Sequence, residues 1–530
     1  LKKFISFISL LVCASVLVAC SGKKSADSNQ SSIPATGAEK IVKIGWQDSG
    51  FLSPFTFTKA GPGGYLRNSF IFDALTWKDE TGVIPWLASD WEISEDELIY
   101  TFTIVDNANF SNGEALTASD VAFSYDYFKK YGYQWSADMS KIEKTEVIDK
   151  THVKITLTEK FVPFISEIAG ILPIIPESIW KDVTDPKHYL KADALIGSGP
   201  FVLKKYDEAA GNYQFEKNSN YFKGNVTVAG VQYLAVQDRM LSLTNKEIDG
   251  GMTFSHAQKV EMEKQGFTAL ASEPTGSAVR IVFNLNKKQF ASKELRQGIA
   301  YALDRAEISK KVLGSDQPMV GSAGVIPPDS DWYNENVKQY AYDTKKAEEI
   351  FTSLGYEKVD GHYQELNLKL ISSGESKEAL IMKDMLAKVG VTLEVQALDA
   401  AAFNQALADN DYDMAITGHI GYSGDPDFLR LWFSGQAYNT FAGTAVFENK
   451  VYQELATLQM SQSDEKARHE TVNKMQDILA EELPTLLLYH RPFYFMYDAT
   501  VFDGWFNTAN GISDGIPLTD NKLAFVDVTK

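Results

Sequence analysis

The sequence predicts an α/β protein built from more than one lobe, and three observations carry that prediction. The chain has 530 residues, more than a single hydrophobic core ordinarily holds. Short segments alternate apolar and polar residues, as half-buried strands do. Between such segments, most clearly in the C-terminal half, lie stretches with apolar residues on one helical face, giving the βαβ-like order of an α/β sheet. With 44% hydrophobic and 12% aromatic residues the composition is that of an ordinary folded chain. A net charge of −19 argues against nucleic-acid binding, which needs a basic stripe.

Taken in order, the chain opens with Lys2 and Lys3 before an apolar run over residues 4–18. That layout is a secretory signal, and the run is short for a membrane span. Leu17-Val18-Ala19-Cys20 is similar to a bacterial lipobox, cut before Cys20 so that its thiol carries lipid. An ordinary secretory signal with an incidental cysteine is the alternative. Residues 20–40 are small and polar and read as a flexible tether. Cys13 and Cys20 are the 2 cysteines, so a cleaved chain would hold no disulfide and no cysteine-based metal site.

The folded body is expected to begin with an alternating strand at Ile41-Val42-Lys43-Ile44-Gly45-Trp46. A small α/β region follows over about residues 85–180. In it Tyr100, Phe102 and Ile104 alternate with Thr101, Thr103 and Val105, Asn112-Gly113 signals a turn, and Thr117 to Asp120 form a capping-box-like helix start. Residues 154–157 read as another strand. Near Arg280 a second lobe begins with a strand over residues 280–285. A helix from about Ser292 then carries Leu295, Ile299, Ala302, Leu303 and Ala306 on one face. Asp343 caps a further helix, with Ala347, Ile350, Phe351 and Leu354 on one face and Gly355 as its stop. Strands are expected at residues 366–371, 390–395 and 412–417. A last helix over residues 464–483 ends at Pro484, with strands at 485–489 and 493–497.

Pro85, Ala88 and Trp91, then Tyr100-Thr101-Phe102, Phe110 and Gly113, then Thr117, Ala118, Asp120 and Val121 occur in fixed order. This pattern resembles the signature of the family-5 extracellular solute-binding proteins, receptors that serve peptide and nickel importers of the ABC type. Gly197-Ser198-Gly199-Pro200-Phe201 and the set Asn218, Tyr221, Gly224 resemble further family elements. So does the stretch from Arg296 to Arg305, with Gly298 where the family usually has alanine. The resemblance covers about residues 41–510. It implies a periplasmic-binding-protein-like type II fold: two large lobes plus an inserted small lobe, closing by hinge bending. The implied boundaries are signal peptide 1–19, tether 20–40, first lobe 41–80, 186–279 and 498–530, inserted lobe 81–185, and second lobe 280–497.

Enzyme motifs fail on inspection. His469-Glu470-Thr471-Val472-Asn473 has asparagine where a zinc protease needs its second histidine. Asp409, Asp411 and Asp413 begin like a calcium loop, but Met414 replaces the turn glycine and Ile420 the terminal glutamate. The residues from Gly418 to Asp427 follow a strand, at the end where α/β sheets present ligand loops. They resemble the family's G-W-x-x-D-x-x-D-P loop, with His419 in place of tryptophan and Tyr422 where peptide receptors carry an amine-binding aspartate.

The expected ligand contacts are Tyr65, Trp135, Arg280, His419, Tyr422, Gly424, Asp425 and Trp432. Tyr65 follows the glycine-rich Gly61-Pro62-Gly63-Gly64, which permits close backbone approach. Trp135 lies, by resemblance, where a nickel receptor stacks its ligand. Arg280 would meet an anionic ligand end, Trp432 would wall a side-chain pocket, and Asp425-Pro426 fixes a turn. Chelate-binding relatives supply an arginine from a stretch that here reads AGILPIIP over residues 169–176 and has none.

The resemblance thus implies a peptide-capturing lipoprotein on the extracytoplasmic face of the cell membrane. It would deliver cargo to an ABC permease and ATPase, as a monomer, with no cofactor, resident metal or catalysis. A nickel or other metal chelate is the alternative cargo, and a surface hydrolase the alternative of another class.

Overall fold

A computed structural model of the chain describes residues 40–58, 61–434 and 447–528. The expected signal, Cys20 and the expected tether before residue 40 lie outside the described residues, and no helix among those described is long and apolar enough to cross a membrane.

Strand Ile41–Trp46 sits centrally in a seven-stranded sheet whose order is Thr268–Ala271, Tyr494–Tyr497, Gly250–Thr253, Ile41–Trp46, Gly230–Ala235, Asn212–Lys217 and Phe201–Asp207. It runs parallel to both neighbours, so Val42, Ile44 and Trp46 are buried. A five-stranded sheet follows the order Thr392–Leu398, Asn367–Ser373, Met414–Ile420, Ser277–Phe283 and Thr485–His490. Its first three strands are parallel and its last two antiparallel to their neighbours. A four-stranded antiparallel sheet, Ala88–Ile93, Ile99–Ile104, His152–Leu157 and Ile142–Val147, is inserted between parts of the first.

The local signals are realised where they are local. Tyr100, Phe102 and Ile104 are buried in alternation along Ile99–Ile104. Helix Ala118–Tyr131 starts at the capping box: the Asp120 carboxylate accepts from the Thr117 amide at 2.9 Å. Its Phe128 ring stacks on Phe55 at 5.0 Å, so the inserted sheet shares one continuous core with the seven-stranded sheet. Asp343 caps helix Thr344–Ser353, and helix Glu465–Glu482 ends at Leu483 in a left-handed conformation just before Pro484.

Two readings need correction. The helix from Ser292 spans Lys293–Ala302 and stops; Asp304 caps a separate helix, Arg305–Leu313, with its carboxylate accepting from the Glu307 amide. Leu303 and Ala306 therefore do not continue the first helix, because the capping aspartate outcompetes the apolar periodicity. Strand Tyr494–Tyr497, expected in the second lobe, pairs with Gly250–Thr253 in the first sheet. Alternation alone does not say which sheet a strand joins.

The chain crosses between the two large sheets twice, at residues 272–276 and 491–493. The crossings are hydrogen-bonded side by side: Ser272 N donates to Phe493 O at 2.8 Å, and Arg491 N donates to Ser277 O at 2.9 Å. The C-terminal segment returns to the first core through a fully buried ion pair. Lys522 Nζ is 2.6 Å from Asp73, which also accepts from Trp86 Nε1, Ser198 Oγ and Tyr221 Oη.

Candidate functional site

A cavity of about 660 Å3 lies between the five-stranded sheet and the combined first and inserted cores, within the range of about 300–1,000 Å3 typical of small-ligand pockets. One wall comes from the inserted lobe: Gln134, Trp135, Ser136, Ala137 and Asp138, with Phe161, Glu167 and Ile168. Helix Ala118–Tyr131 ends at Gly132, whose φ of 79° turns the chain out into the segment that carries Trp135. The facing wall is His419 and Ile420 at the end of strand Met414–Ile420, the Asp425–Asp427 turn, and Phe428, Arg430, Leu431 and Trp432 on helix Phe428–Phe433. Asp514 and Ile516 enter from the C-terminal segment.

Interlobe contacts bound the cavity. At one side Val162 N donates to Met460 O at 2.8 Å. At the other, Ser423 Oγ donates to Gly515 O at 2.7 Å, and Gly424 packs backbone to backbone on Gly515. A Cβ on Gly424 would stand 2.5 Å from the Gly515 nitrogen, so no side chain fits there.

Five carboxylates and a single arginine line the cavity among the described residues. Asp425 is held by Arg468 through two bonds of 2.8 and 2.6 Å. Asp427 is held by Arg430 at 2.8 and 2.6 Å and accepts from Gln459 Nε2 at 2.6 Å. Bidentate pairs of this kind are strong and directional. Both loop carboxylates are thus spent on their own lobe. Burial, reinforced by the nearby Arg280 guanidinium, holds His419 well below its ordinary value, so its imidazole is neutral.

Asp514 and Glu167 form a different environment. Asp514 occupies the tip of a tight turn, with Asp514 and Gly515 at φ of 48° and 65° and Ile516 N donating to Ser513 O at 2.9 Å. An Asp-Gly pair suits such a turn because both central residues must adopt positive φ. Glu167 lies on the single wide turn Ile165–Ala169, 3.4 Å from Lys78 Nζ. Burial first, then the neighbouring Glu167, pushes Asp514 up to about 7, against the pull of Ser136 and Lys78. Two neighbouring half-buried carboxyls cannot readily both be charged.

Of the eight expected contacts, Trp135, His419, Asp425 and Trp432 line the cavity and come together there. Trp135 Nε1 donates to Ser513 Oγ at 3.0 Å, and His419 meets Trp432 edge-on at 4.5 Å. The other four stand behind the walls. Tyr422 is fully buried among His419, Phe428, Trp432 and His490, and braces the wall instead of facing the cavity. Tyr65 is 3% exposed and stacks behind Trp135 at 5.5 Å. The expected loop before it is the start of helix Gly63–Ile71, where Gly63 and Gly64 permit close packing on Trp46 and Phe57. Arg280 is inside strand Ser277–Phe283, buried, with Nε donating to Thr417 Oγ1 at 3.1 Å. Gly424 serves the interlobe contact. Asp425 lines the cavity, but its charge belongs to Arg468.

Sequence reasoning missed Glu167, Asp514, Ser136 and Arg430. Arg430 was findable, since its spacing from Asp427 favours a helical ion pair. The Asp-Gly turn signal marked the shape around Asp514 but not its proximity to Glu167. Among the described residues no group of three or more His, Cys, Asp or Glu is placed to hold a metal ion.

The family model described as bacterial extracellular solute-binding proteins, family 5 Middle, matches residues 82–440. The probable D,D-dipeptide-binding periplasmic protein DdpA of Escherichia coli is 25% identical over 424 residues, covering 78% of this chain and 80% of that protein. The oligopeptide-binding protein AppA of Bacillus subtilis, solved with a nonapeptide, superposes with a TM-score of 0.73 at 20% identity, covering 87% of this chain and 95% of the other. NikA of Brucella suis, solved with Fe(III)-EDTA, gives 0.78 at 20% identity, covering 91% and 100%. These two likenesses establish the fold.

Proposed function

The chain belongs to the bacterial extracellular solute-binding proteins of family 5, and from that premise we propose that it captures a short peptide between its lobes for an ABC importer. The observation that carries this reading is the cavity itself, bounded by contacts between both lobes and sized for a small ligand. A ligand that touches both walls favours the closed form over the open one, so binding and hinge closure are one equilibrium. Aromatic and apolar groups supply most of the contact, as at Trp135, Phe161, Phe428 and Trp432. Peptide-binding relatives support the same cargo class.

A metal chelate is the second cargo to test, since NikA binds Fe(III)-EDTA on this fold. Against it stands the charge of the wall: an anionic chelate would meet five carboxylates, and the one lining arginine is already committed to Asp427. Catalysis is not part of the proposal, nor is a resident cofactor. The proposal includes lobes divided near residues 81, 186 and 280, with the return to the first lobe at residues 491–493. It also includes a lipid on Cys20, holding a monomer at the extracytoplasmic face of the membrane beside its permease and ATPase.

Native mass spectrometry of protein purified from its host tests the cargo. Retained masses that fragment as peptides are the expected result. A retained metal-chelate mass, or peptide turnover by the purified protein, would overturn the reading.

A further inference from the structure

We propose that the hinge carries a second ligand site, which takes an extended organic cation of the polyamine class, and that filling it tightens the hold on cargo. The site lies outside the cargo cavity, and only its coupling to cargo rests on the proposed function.

A cavity of about 960 Å3 lies at the crossings between the two large sheets. Residues 271–275 and Pro492 line it from the crossings themselves. Glu80, His256, Tyr494 and Asn507 reach it from the first lobe, and residues 315–319 and Asp329 from the second. Among the described residues it shares no lining with the cargo cavity. The C-terminal turn partitions the two: Ala509 lines the hinge cavity, while Asp514 and Ile516 line the cargo cavity.

Two features of the lining call for a ligand. Glu80, Glu273, Asp316 and Asp329 line the cavity with no lysine or arginine beside them, and none of the four has an ion-pair partner among the described residues. The second feature is Thr275, which is 6% exposed and lines the same cavity. Its amide donates to Asp329 Oδ2 at 2.6 Å, but its hydroxyl makes no hydrogen bond among the described residues. A polar group so deeply set is ordinarily paired, so this one is left for a ligand.

The spread of the acids fixes the class of that ligand. No three of the described carboxylates and imidazoles converge as a metal ion requires. A single point charge therefore meets only part of a lining that has acids on the crossing and on both lobes. A chain with several ammonium groups meets them together, and its N–H groups can donate to the Thr275 hydroxyl as well.

Coupling follows from the walls. Because both lobes supply them, the width of the cavity changes as the hinge bends. A cation that bridges them favours the form described here, whose lobes touch around the cargo cavity. The connection is short. Gly276, next to Thr275, accepts from Gly421 N at 2.8 Å, and a Cβ on it would stand 2.8 Å from the Gly515 oxygen. Holding residues 273–275 thus holds the interlobe contact of Ser423 with Gly515. By reciprocity, cargo tightens the cation by the same factor.

The test uses the whole protein with spermidine as probe and sodium chloride of equal ionic strength as control, read by thermal shift. Spermidine should raise Tm where sodium chloride does not. Glu273→Gln combined with Asp316→Asn should weaken that response about fivefold, and Thr275→Val should weaken it about threefold. Both carboxylates are exposed, so the double variant leaves the core undisturbed. With spermidine saturating, the concentration of a casein tryptic digest that gives half its own shift should fall about fivefold or more. Equal shifts from spermidine and salt, or an undiminished response in the double variant, would overturn the site. An unchanged digest concentration would overturn the coupling, and a raised one would put the amine in the cargo cavity and overturn the proposal. No shift from the digest under any condition would overturn the peptide reading and the coupling with it, while the spermidine arms still decide the site.

Discussion

Replacing Arg468 by methionine keeps the unbranched stem of the side chain and removes its guanidinium and its charge, which strips the support of Asp425 beneath the cavity floor. The guanidinium makes the two bonds to Asp425 described above, donates to Gln459 O at 3.0 Å and Oε1 at 2.9 Å, and lies over the Trp332 ring at 5.2 Å. Breaking a buried pair by removing one partner costs about 3–5 kcal/mol. The Asp425 side chain is 16% exposed, so water screens part of the orphaned charge and the lower end, about 3 kcal/mol, applies. For a cooperative unit of roughly 150–250 residues, at about 2–4 °C per kcal/mol, the Tm of the second lobe should fall by about 6–12 °C. Differential scanning calorimetry of ligand-free protein reads this directly. Adding Asp425→Asn removes the stranded charge, so the double variant should recover about half of the loss. A loss under about 1 kcal/mol, or a double variant no more stable than Arg468→Met alone, would show that this pair does not hold the loop.

Other outcomes follow from neighbouring features. Tyr422→Ala empties a fully buried site and should cost about 3–5 kcal/mol, yet weaken peptide affinity less than Trp432→Ala, which strips a cavity wall; calorimetric titration giving the reverse ranking would refute that placement. Asp73→Ala strands Lys522, whose side chain is 0% exposed, and should destabilise the first lobe by about 3–5 kcal/mol, against which a calorimetric loss below about 1 kcal/mol would count. Asp514 is held above its ordinary value, so the folded chain keeps a proton that the unfolded chain releases. The stability this proton provides is full at low pH and is lost as pH rises toward about 7. In ligand-free protein the Tm of Asp514→Asn relative to the unaltered chain should therefore climb between about pH 5 and about pH 8; a flat difference would contradict the raised Asp514 carboxyl.

What was legible in the sequence is what depends on neighbours in the chain. The strand around Tyr100 and Phe102, the Thr117 and Asp343 caps and the stop before Pro484 each rest on residues within a turn or two of one another. The break at Asp304 was a contest between two local signals, and side-chain capping won over periodicity. The site was read less well because its chemistry is made by distant partners. Asp425 looked like a ligand contact until Arg468, 43 residues on, was seen to hold it. Tyr422 looked like a ligand contact because it follows a strand in the loop that resembles the family's cleft loop, but a wall of rings closes over it. Nothing in the order of residues brings Glu167 to Asp514; only the closing of the inserted lobe against the C-terminal turn does so.

The bare backbone contact between Gly424 and Gly515 has a consequence for how grip can be adjusted. It acts as a doorstop, fixing how far the lobes can swing together. A single methyl group there would be a wedge, leaving the cavity intact in composition but ajar in shape. Residence time would then shorten for every cargo alike, without a change in preference among them. Strength of hold and choice of cargo thus sit on separate dials, and the first is turned by two residues that need never touch what is carried.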